Sequence, residues 1–234
     1  MNLQDKVILV TGGSSGIGLA TAVMLKSKGA VVVINARHES RLKAAGQEHG
    51  LITVQGDVAK EADVKEICSF VDERYGKLDA LINNAGYGYF GLLEDLAVEK
   101  FNQVFATNVT GAMMMARGAL KFFKKQQSGN IVNISSTAGT RGFAGGTAYC
   151  ATKFALKAMT ECWRAELRKY NVRVILINPS EVQTRFAVNA GHEARDFNPT
   201  KLQAADIAHA LCAALEMDDR GFITELTVFA TNPQ

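Results

Sequence analysis

Thr11-Gly12-Gly13-Ser14-Ser15-Gly16-Ile17-Gly18 joins an apolar, β-branched run (residues 6–10) to an amphipathic stretch (17–28). A strand that enters a glycine-rich loop and leaves as a helix presents backbone N–H groups, and the positive end of the helix dipole, to whatever lies above the strand. Glycines let a phosphate approach the backbone, and the spacing here is G-x-x-x-G-x-G rather than G-x-G-x-x-G. A glycine cluster after a strand also reads as a simple tight turn. Its place at the first strand-to-helix junction favours the phosphate cradle formed by Gly12, Ser14, Ser15, Gly16, Ile17 and Gly18.

Outward from this junction the same alternation repeats. Strand-like runs are read at 6–10, 30–34, 52–55, 80–82, 130–134, 172–177 and 222–228, and helical periodicity at 17–28, 39–48, 61–75, 101–126, 151–170 and 204–217. Several strands are apolar throughout, as strands covered on both faces must be. The pattern predicts one α/β domain over residues 1–234: a doubly wound parallel sheet of seven strands with helices on both faces. Residues 180–200 show no regular pattern, and so long a loop in a compact domain reads as a substrate lid or a surface connection.

Composition narrows the function. The 234 residues are 47% hydrophobic and 21% charged with a formal charge of +3 and no basic run, so nucleic acid is not an expected partner. No apolar stretch spans a bilayer and the first residues lack the order of a signal peptide, so a cytoplasmic location is expected. Cys68, Cys150, Cys162 and Cys212 are widely spaced, which predicts neither disulfides nor a metal site but small apolar filler.

Tyr149-Cys150-Ala151-Thr152-Lys153 places a phenol and an ammonium one helical turn apart. A free phenol titrates near 10, too high for efficient proton transfer around neutrality. A cation about 4 Å away at an effective dielectric near 20 contributes roughly 4 kcal/mol, enough to bring it near 7 before desolvation pushes back. Upstream stand Asn83-Asn84-Ala85-Gly86, Asn108 and Ser135-Ser136.

In order and spacing these motifs resemble the compact form of the short-chain dehydrogenase/reductase family over nearly the whole chain, and the general style is similar to 3-oxoacyl-carrier-protein reductases. The resemblance implies a Rossmann fold and hydride transfer between a nicotinamide cofactor and a carbonyl or alcohol. It implies Tyr149 as general acid/base, Ser136 as the hydroxyl that holds the substrate oxygen, and Ser135 as its packing neighbour. Lys153 would bind the nicotinamide ribose and keep the phenol acidic, while Asn108 would anchor a water in the proton path. Asn83, Asn84, Ala85 and Gly86 would steady the sheet and let the cofactor pass, with Asp57 and Val58 bordering the adenine. Pro179, Val182 and Thr184 would lie by the nicotinamide. A non-catalytic redox sensor is the rival, disfavoured because Asn108, Ser136, Tyr149 and Lys153 occur together.

The second strand ends Val33-Ile34-Asn35-Ala36-Arg37, with no acid for ribose hydroxyls and an arginine suited to a 2′-phosphate, which favours NADP(H) over NAD(H); the alternative is that Arg37 is a solvated loop residue. One departure is Asn178-Pro179-Ser180, where the family has glycine after proline; serine enters positive φ unwillingly, so a strained turn is expected. Tyr87, Phe143, Phe186 and Phe197 are candidates for an apolar substrate pocket. Arg141, Arg185 and Arg195 would hold a carboxylate or a carrier-borne phosphopantetheine, or are surface charges. A homodimer or homotetramer through 101–126 and 151–170 is implied by the resemblance, with Met113, Met114 and Met115 either at that interface or in the core.

Overall fold

Alternation within a single strand shows how the sheet is covered. In β1 (Val7–Thr11), Val7 and Leu9 face one hydrophobic cluster and Ile8 and Val10 face another, all four fully buried. A strand with two buried faces needs apolar side chains at every position, and this explains the unbroken apolar run. The computed structural model describes residues 1–191, 193 and 196–232.

The other strands are β2 (Val31–Ala36), β3 (Ile52–Gln55), β4 (Ala80–Asn83), β5 (Gly129–Ile134), β6 (Val172–Pro179), the short β7 (Val182–Gln183) and β8 (Leu202–Gln203), and β9 (Glu225–Val228). Seven of them form one parallel sheet in the order β3-β2-β1-β4-β5-β6-β9, while β7 and β8 pair with each other. Strand order reverses between β1 and β4, and in open α/β sheets the crevice at such a point, above the strand C-termini, is where ligands bind.

Helices α1 (Gly16–Ser27), α2 (Glu39–His49) and α8 (Ala204–Glu216) bury Leu25, Leu42 and Leu211 on one face. Helices α3 (Glu61–Tyr75), α5 (Ala112–Gln126) and α6 (Thr147–Leu167) bury Ile67, Phe123 and Leu167 on the other. Each such side chain contributes about 1.5–3 kcal/mol by leaving water. Met114 and Met115 belong to this second core, which settles their assignment away from the surface. Cys68, Cys150 and Cys212 are buried as filler, whereas Cys162 is exposed.

Several boundaries differ from the sequence expectation. The helix expected at 101–126 begins earlier, as α4 (Val98–Phe105), and passes through a π-helical stretch (Ala106–Gly111) before α5. Single-turn π segments accompany functional sites more often than plain helix does, and this one carries Asn108. Helix α6 starts at Thr147, four residues early, so Tyr149 lies in its first turn rather than ahead of it. The segment 180–200 is not featureless: besides β7 it holds α7 (Phe186–Asn189). The strained turn expected at Ser180 does not occur, because Ser180 is absent from the residues of positive φ and its N–H donates to Val228 O at 2.9 Å, extending the β6–β9 ladder.

Candidate active site

Thr11 closes β1 and organises the loop above it. Its hydroxyl donates to Ile82 O and accepts the N–H groups of Asn84 and Ala85, at 3.2, 3.0 and 3.1 Å. The Asn84 amide donates to the carbonyls of Thr11 and Gly12 in return. Three of the loop's four glycines each have their own reason. Gly12 has φ +64, and a Cβ there would lie 2.9 Å from Ala85 Cα. Gly16 has φ +55 and opens toward Thr184, while a Cβ on Gly18 would meet Asn84 Nδ2 at 2.4 Å. Gly12 and Gly16 therefore serve the loop's conformation, and Gly18 the packing of α1 against it. The first-turn N–H groups of a helix have no intrahelical carbonyl to bond, and Ser15, Gly16 and Ile17, at the start of α1, line the cavity.

These residues form one end of a cavity of about 1210 Å³. Ser14, Arg37, Val58, Ala85 and Gly86 line it, and so do Ser136, Tyr149, Lys153, Pro179, Val182 and Thr184. Three expected site residues stand behind the wall. Gly18 packs as described; Asp57 lies beside Arg37, with its Oδ2 3.9 Å from Nη1; Asn108 is only 2% exposed. Its Oδ1 accepts the Tyr87 N–H at 3.1 Å, and its Nδ2 donates to Tyr87 O at 2.9 Å and Thr152 Oγ1 at 3.1 Å. Both amide hydrogens are thereby spent on protein. Thr152 in turn donates to Tyr149 O at 2.7 Å, so Asn108 ties the loop after β4 to the first turn of α6.

Tyr87 does not join the substrate-side aromatics expected of it. Its ring centroid lies 5.9 Å from the Arg37 guanidinium, with Asp57 adjacent, and burial pushes its phenol up while Arg37 pulls it down. Phe197 is 69% exposed and lies off the cavity wall. Arg195 falls outside the described residues. Phe90 takes the vacated role: its ring is 5.4 Å from Tyr149 and 6.3 Å from Phe143, and Phe186 of α7 is 5.4 Å from Tyr149 on another side. The aromatic run Tyr87-Gly88-Tyr89-Phe90 was the available signal in sequence.

Between these rings the Tyr149 phenol is pushed up to about 12, chiefly by burial, with the facing Ser136 hydroxyl pulling it the other way. Lys153 donates from Nζ to Ile134 O at 2.8 Å, and its Nζ lies 5.6 Å from the Tyr149 ring centroid. Burial lowers this ammonium to about 8. The direction at Tyr149 is thus the reverse of the expected one: desolvation dominates, because the phenol sits in a dry crevice. Ser136 opens a short 3₁₀ turn (Thr137–Gly139) and its Oγ accepts the Ala138 N–H at 3.1 Å, while Ser135 Oγ donates away from the phenol to Lys153 O at 3.3 Å.

A cleft above the strand ends, with a phosphate-sized glycine loop at one end and a buried Tyr/Lys/Ser group at the other, defines a dinucleotide-dependent oxidoreductase by its architecture. The family model described as short chain dehydrogenase matches residues 6–195, and the chain belongs to that family. An uncharacterized oxidoreductase of Staphylococcus aureus is 33% identical over 232 residues, 97% of each chain. One from Bacillus subtilis is 39% identical over 205 residues, and the match spans 84% of this chain and 57% of that protein's length. Among solved structures, an alcohol dehydrogenase from the archaeon Thermococcus sibiricus complexed with 5-hydroxy-NADP has 28% identity and TM-score 0.87, covering 99% of this chain and 100% of that one. The closed form of a serine dehydrogenase complexed with NADP+ has 28% identity and TM-score 0.89, covering 95% and 94%. Among the described residues no helix is long and apolar enough to cross a membrane.

Proposed function

We propose that this protein is an NADP(H)-dependent oxidoreductase that interconverts a carbonyl and an alcohol with Tyr149 as acid/base. The observation that carries the reading is the meeting of Tyr149, Ser136 and Lys153 in one dry crevice at the end of a cavity whose far end is the glycine loop. NADP(H), when bound, supplies or takes the hydride. Ser136 directs its hydroxyl toward the phenol and so to the place a substrate oxygen takes beside it. Tyr149 gives that oxygen a proton in reduction and recovers it in oxidation, and its high pKa keeps the proton in place until the oxygen gains charge. Lys153 holds a positive charge beside the developing phenolate, and Asn108 is a positioning residue that fixes the first turn of α6 through Thr152.

The cavity fits the cofactor. The pyrophosphate is assigned to the loop around Gly12, Ser14, Ser15, Gly16 and Ile17, where the close approach of Ala85 leaves no room for a side chain at Gly12. Asn84, Ala85 and Gly86 border its path, Val58 the adenine with Asp57 behind the wall beside Arg37, and Pro179, Val182 and Thr184 the nicotinamide. Arg37 supports the NADP preference: its guanidinium is half-exposed and only loosely paired at 3.9 Å with Asp57, so it can turn to a 2′-phosphate. The NADP-type ligands of the two solved relatives agree with this. Reduction of a 3-oxoacyl group on a carrier is one activity this site would perform. Phe154, exposed on α6, is compatible with the homodimer or homotetramer implied by the resemblance, and α7 with a lid closing over substrate.

The test is NADPH oxidation, followed by absorbance, with a panel of ketones and aldehydes, and kcat/KM for NADPH and NADH in wild type and Arg37→Ala. One or two charge-assisted bonds at about 1.5–3 kcal/mol each predict a tens- to thousands-fold NADPH preference, mostly lost in the variant. Wild-type preference for NADH overturns the cofactor assignment. Tight NADPH binding without turnover of any carbonyl favours the redox sensor.

A further inference from the structure

Charge is distributed unevenly around the cavity. Among the described residues, Arg37, Arg141, Lys153 and Arg185 line it, with His38, against one carboxylate, Glu181. That carboxylate is already engaged, its Oε2 lying 3.0 Å from Lys201 Nζ. Arg37 and His38 stand at the end of the cavity beyond β2, and Lys153 is bonded to Ile134 O. Arg141 and Arg185 remain, on the other side of Tyr149. Arg141 follows the turn that Ser136 opens, and its carbonyl is 4.0 Å from the Sγ of Cys150, the neighbour of Tyr149. Arg185 immediately precedes Phe186, whose ring lies 5.4 Å from that of Tyr149.

Both arginines line the cavity and are exposed to solvent. Among the described residues the arginines that form ion pairs are Arg37, Arg117, Arg173 and Arg220, and neither Arg141 nor Arg185 is one of them. The cavity also carries three rings around the phenol, Phe90, Phe143 and Phe186, of which Phe143 and Phe186 are close in sequence to Arg141 and Arg185. The two loops that carry Phe90 and Phe143 are joined by a hydrogen bond from Gly91 N to Gly145 O at 2.9 Å, so this wall is one built surface rather than two independent flaps. An apolar slot beside the phenol, rimmed by two uncompensated guanidinium groups from separate segments, has the form of a site for an amphiphilic anion. Guanidinium forks recognise planar or tetrahedral oxyanions by paired, charge-assisted hydrogen bonds.

We propose that the substrate is a carbonyl compound whose apolar body lies among Phe90, Phe143 and Phe186 and whose anionic group, carboxylate or phosphate, is held by Arg141 and Arg185. This rests on the oxidoreductase reading above and adds the substrate's charge to it. The anion sits at the rim, so it is separated from the reacting carbonyl by several bonds, and the carbonyl itself meets Tyr149 and Ser136 without competition from the arginines.

The experiment compares keto acids of increasing chain length, their methyl esters, and keto phosphates with the carbonyl at the same position. Loss of a charge-assisted bond costs about tenfold or more in affinity, so kcat/KM for the acid exceeds that for its ester by at least about tenfold in wild type. The ratio falls toward one in Arg141→Ala/Arg185→Ala and persists in Arg168→Ala, an arginine remote from the cavity. Raising ionic strength lowers the ratio. A preference for keto phosphates over keto acids identifies phosphate as the source of the charge, and the reverse identifies carboxylate. Calorimetric titration of the NADP+-loaded protein with each acid and ester gives the same comparison without turnover. Equal binding and equal kcat/KM for acid and ester in wild type, or an acid preference that survives the double variant, overturns the proposal while leaving the oxidoreductase reading intact. Acid-selective binding with no turnover of any compound supports the anion site and overturns the oxidoreductase reading instead.

Discussion

Truncating Phe186 to alanine tests the dry environment of the phenol directly. Tyr149 is held at about 12 mainly by burial, and the rings of Phe90 and Phe186 each lie 5.4 Å from it. The phenol of an exposed tyrosine titrates near 10, so at most about 2.7 kcal/mol of differential solvation is at stake. With Phe90 still in place, Phe186→Ala recovers about half of this and brings the midpoint to roughly 11. Tyrosinate absorbance after stopped-flow pH jumps, read before unfolding, reports the titration. The chain has five tyrosines, so subtracting Phe186→Ala/Tyr149→Phe from Phe186→Ala isolates the one of interest. A midpoint unmoved from that of wild type, obtained by the same subtraction, would show that α7 does not desolvate Tyr149, and the account of its high pKa would fail.

Three further outcomes follow from the same geometry. Burial lowers Lys153 from 10.5 to about 8, so unfolding takes up a proton between those values and the folded state gains stability as pH rises through them. The stability of wild type relative to Lys153→Met therefore rises by up to about 3 kcal/mol from pH 8 to 10.5, and parallel denaturation curves that keep a constant gap would contradict it. Gly12→Ala places a side chain at φ +64 and 2.9 Å from Ala85 Cα; it should cost at least about 1 kcal/mol in urea denaturation and weaken NADPH binding, and a variant as stable as wild type would remove the close approach from the argument. Ser136→Ala should lower kcat far more than Ser135→Ala, because Ser136 faces the phenol and Ser135 turns to Lys153 O; the reverse order in steady-state kinetics would mean that the two roles are exchanged.

The sheet was legible because its inner strands are buried on both faces, so Val7 to Val10 carry their environment in composition alone. The glycine loop was legible for a related reason, since Gly12 and Gly16 mark backbone shapes few other residues adopt. Tertiary effects were not. The π-helical stretch at Ala106–Gly111 leaves no periodic trace in a long apolar helix, although Asn108 depends on it. Side-chain spacing put Lys153 one turn from Tyr149 correctly, but the sign of the pKa shift depends on a desolvation that tertiary packing, Phe90 and Phe186 included, creates. Tyr87 and Phe90, three residues apart, point to opposite ends of the cavity, and hydrophobicity does not distinguish them. The strain foreseen at Ser180 failed because β9 offers Val228 O to its N–H.

The central claim is that Tyr149 moves the proton. Tyr149→Phe keeps the ring between Phe90 and Phe186 and deletes one oxygen, so single-turnover hydride transfer from saturating NADPH to a carbonyl substrate, with the NADPH Kd measured on the same sample, is the most direct test. The expected result is a loss of at least about 100-fold in rate with Kd within a few-fold of wild type. A rate within about fivefold of wild type would contradict it.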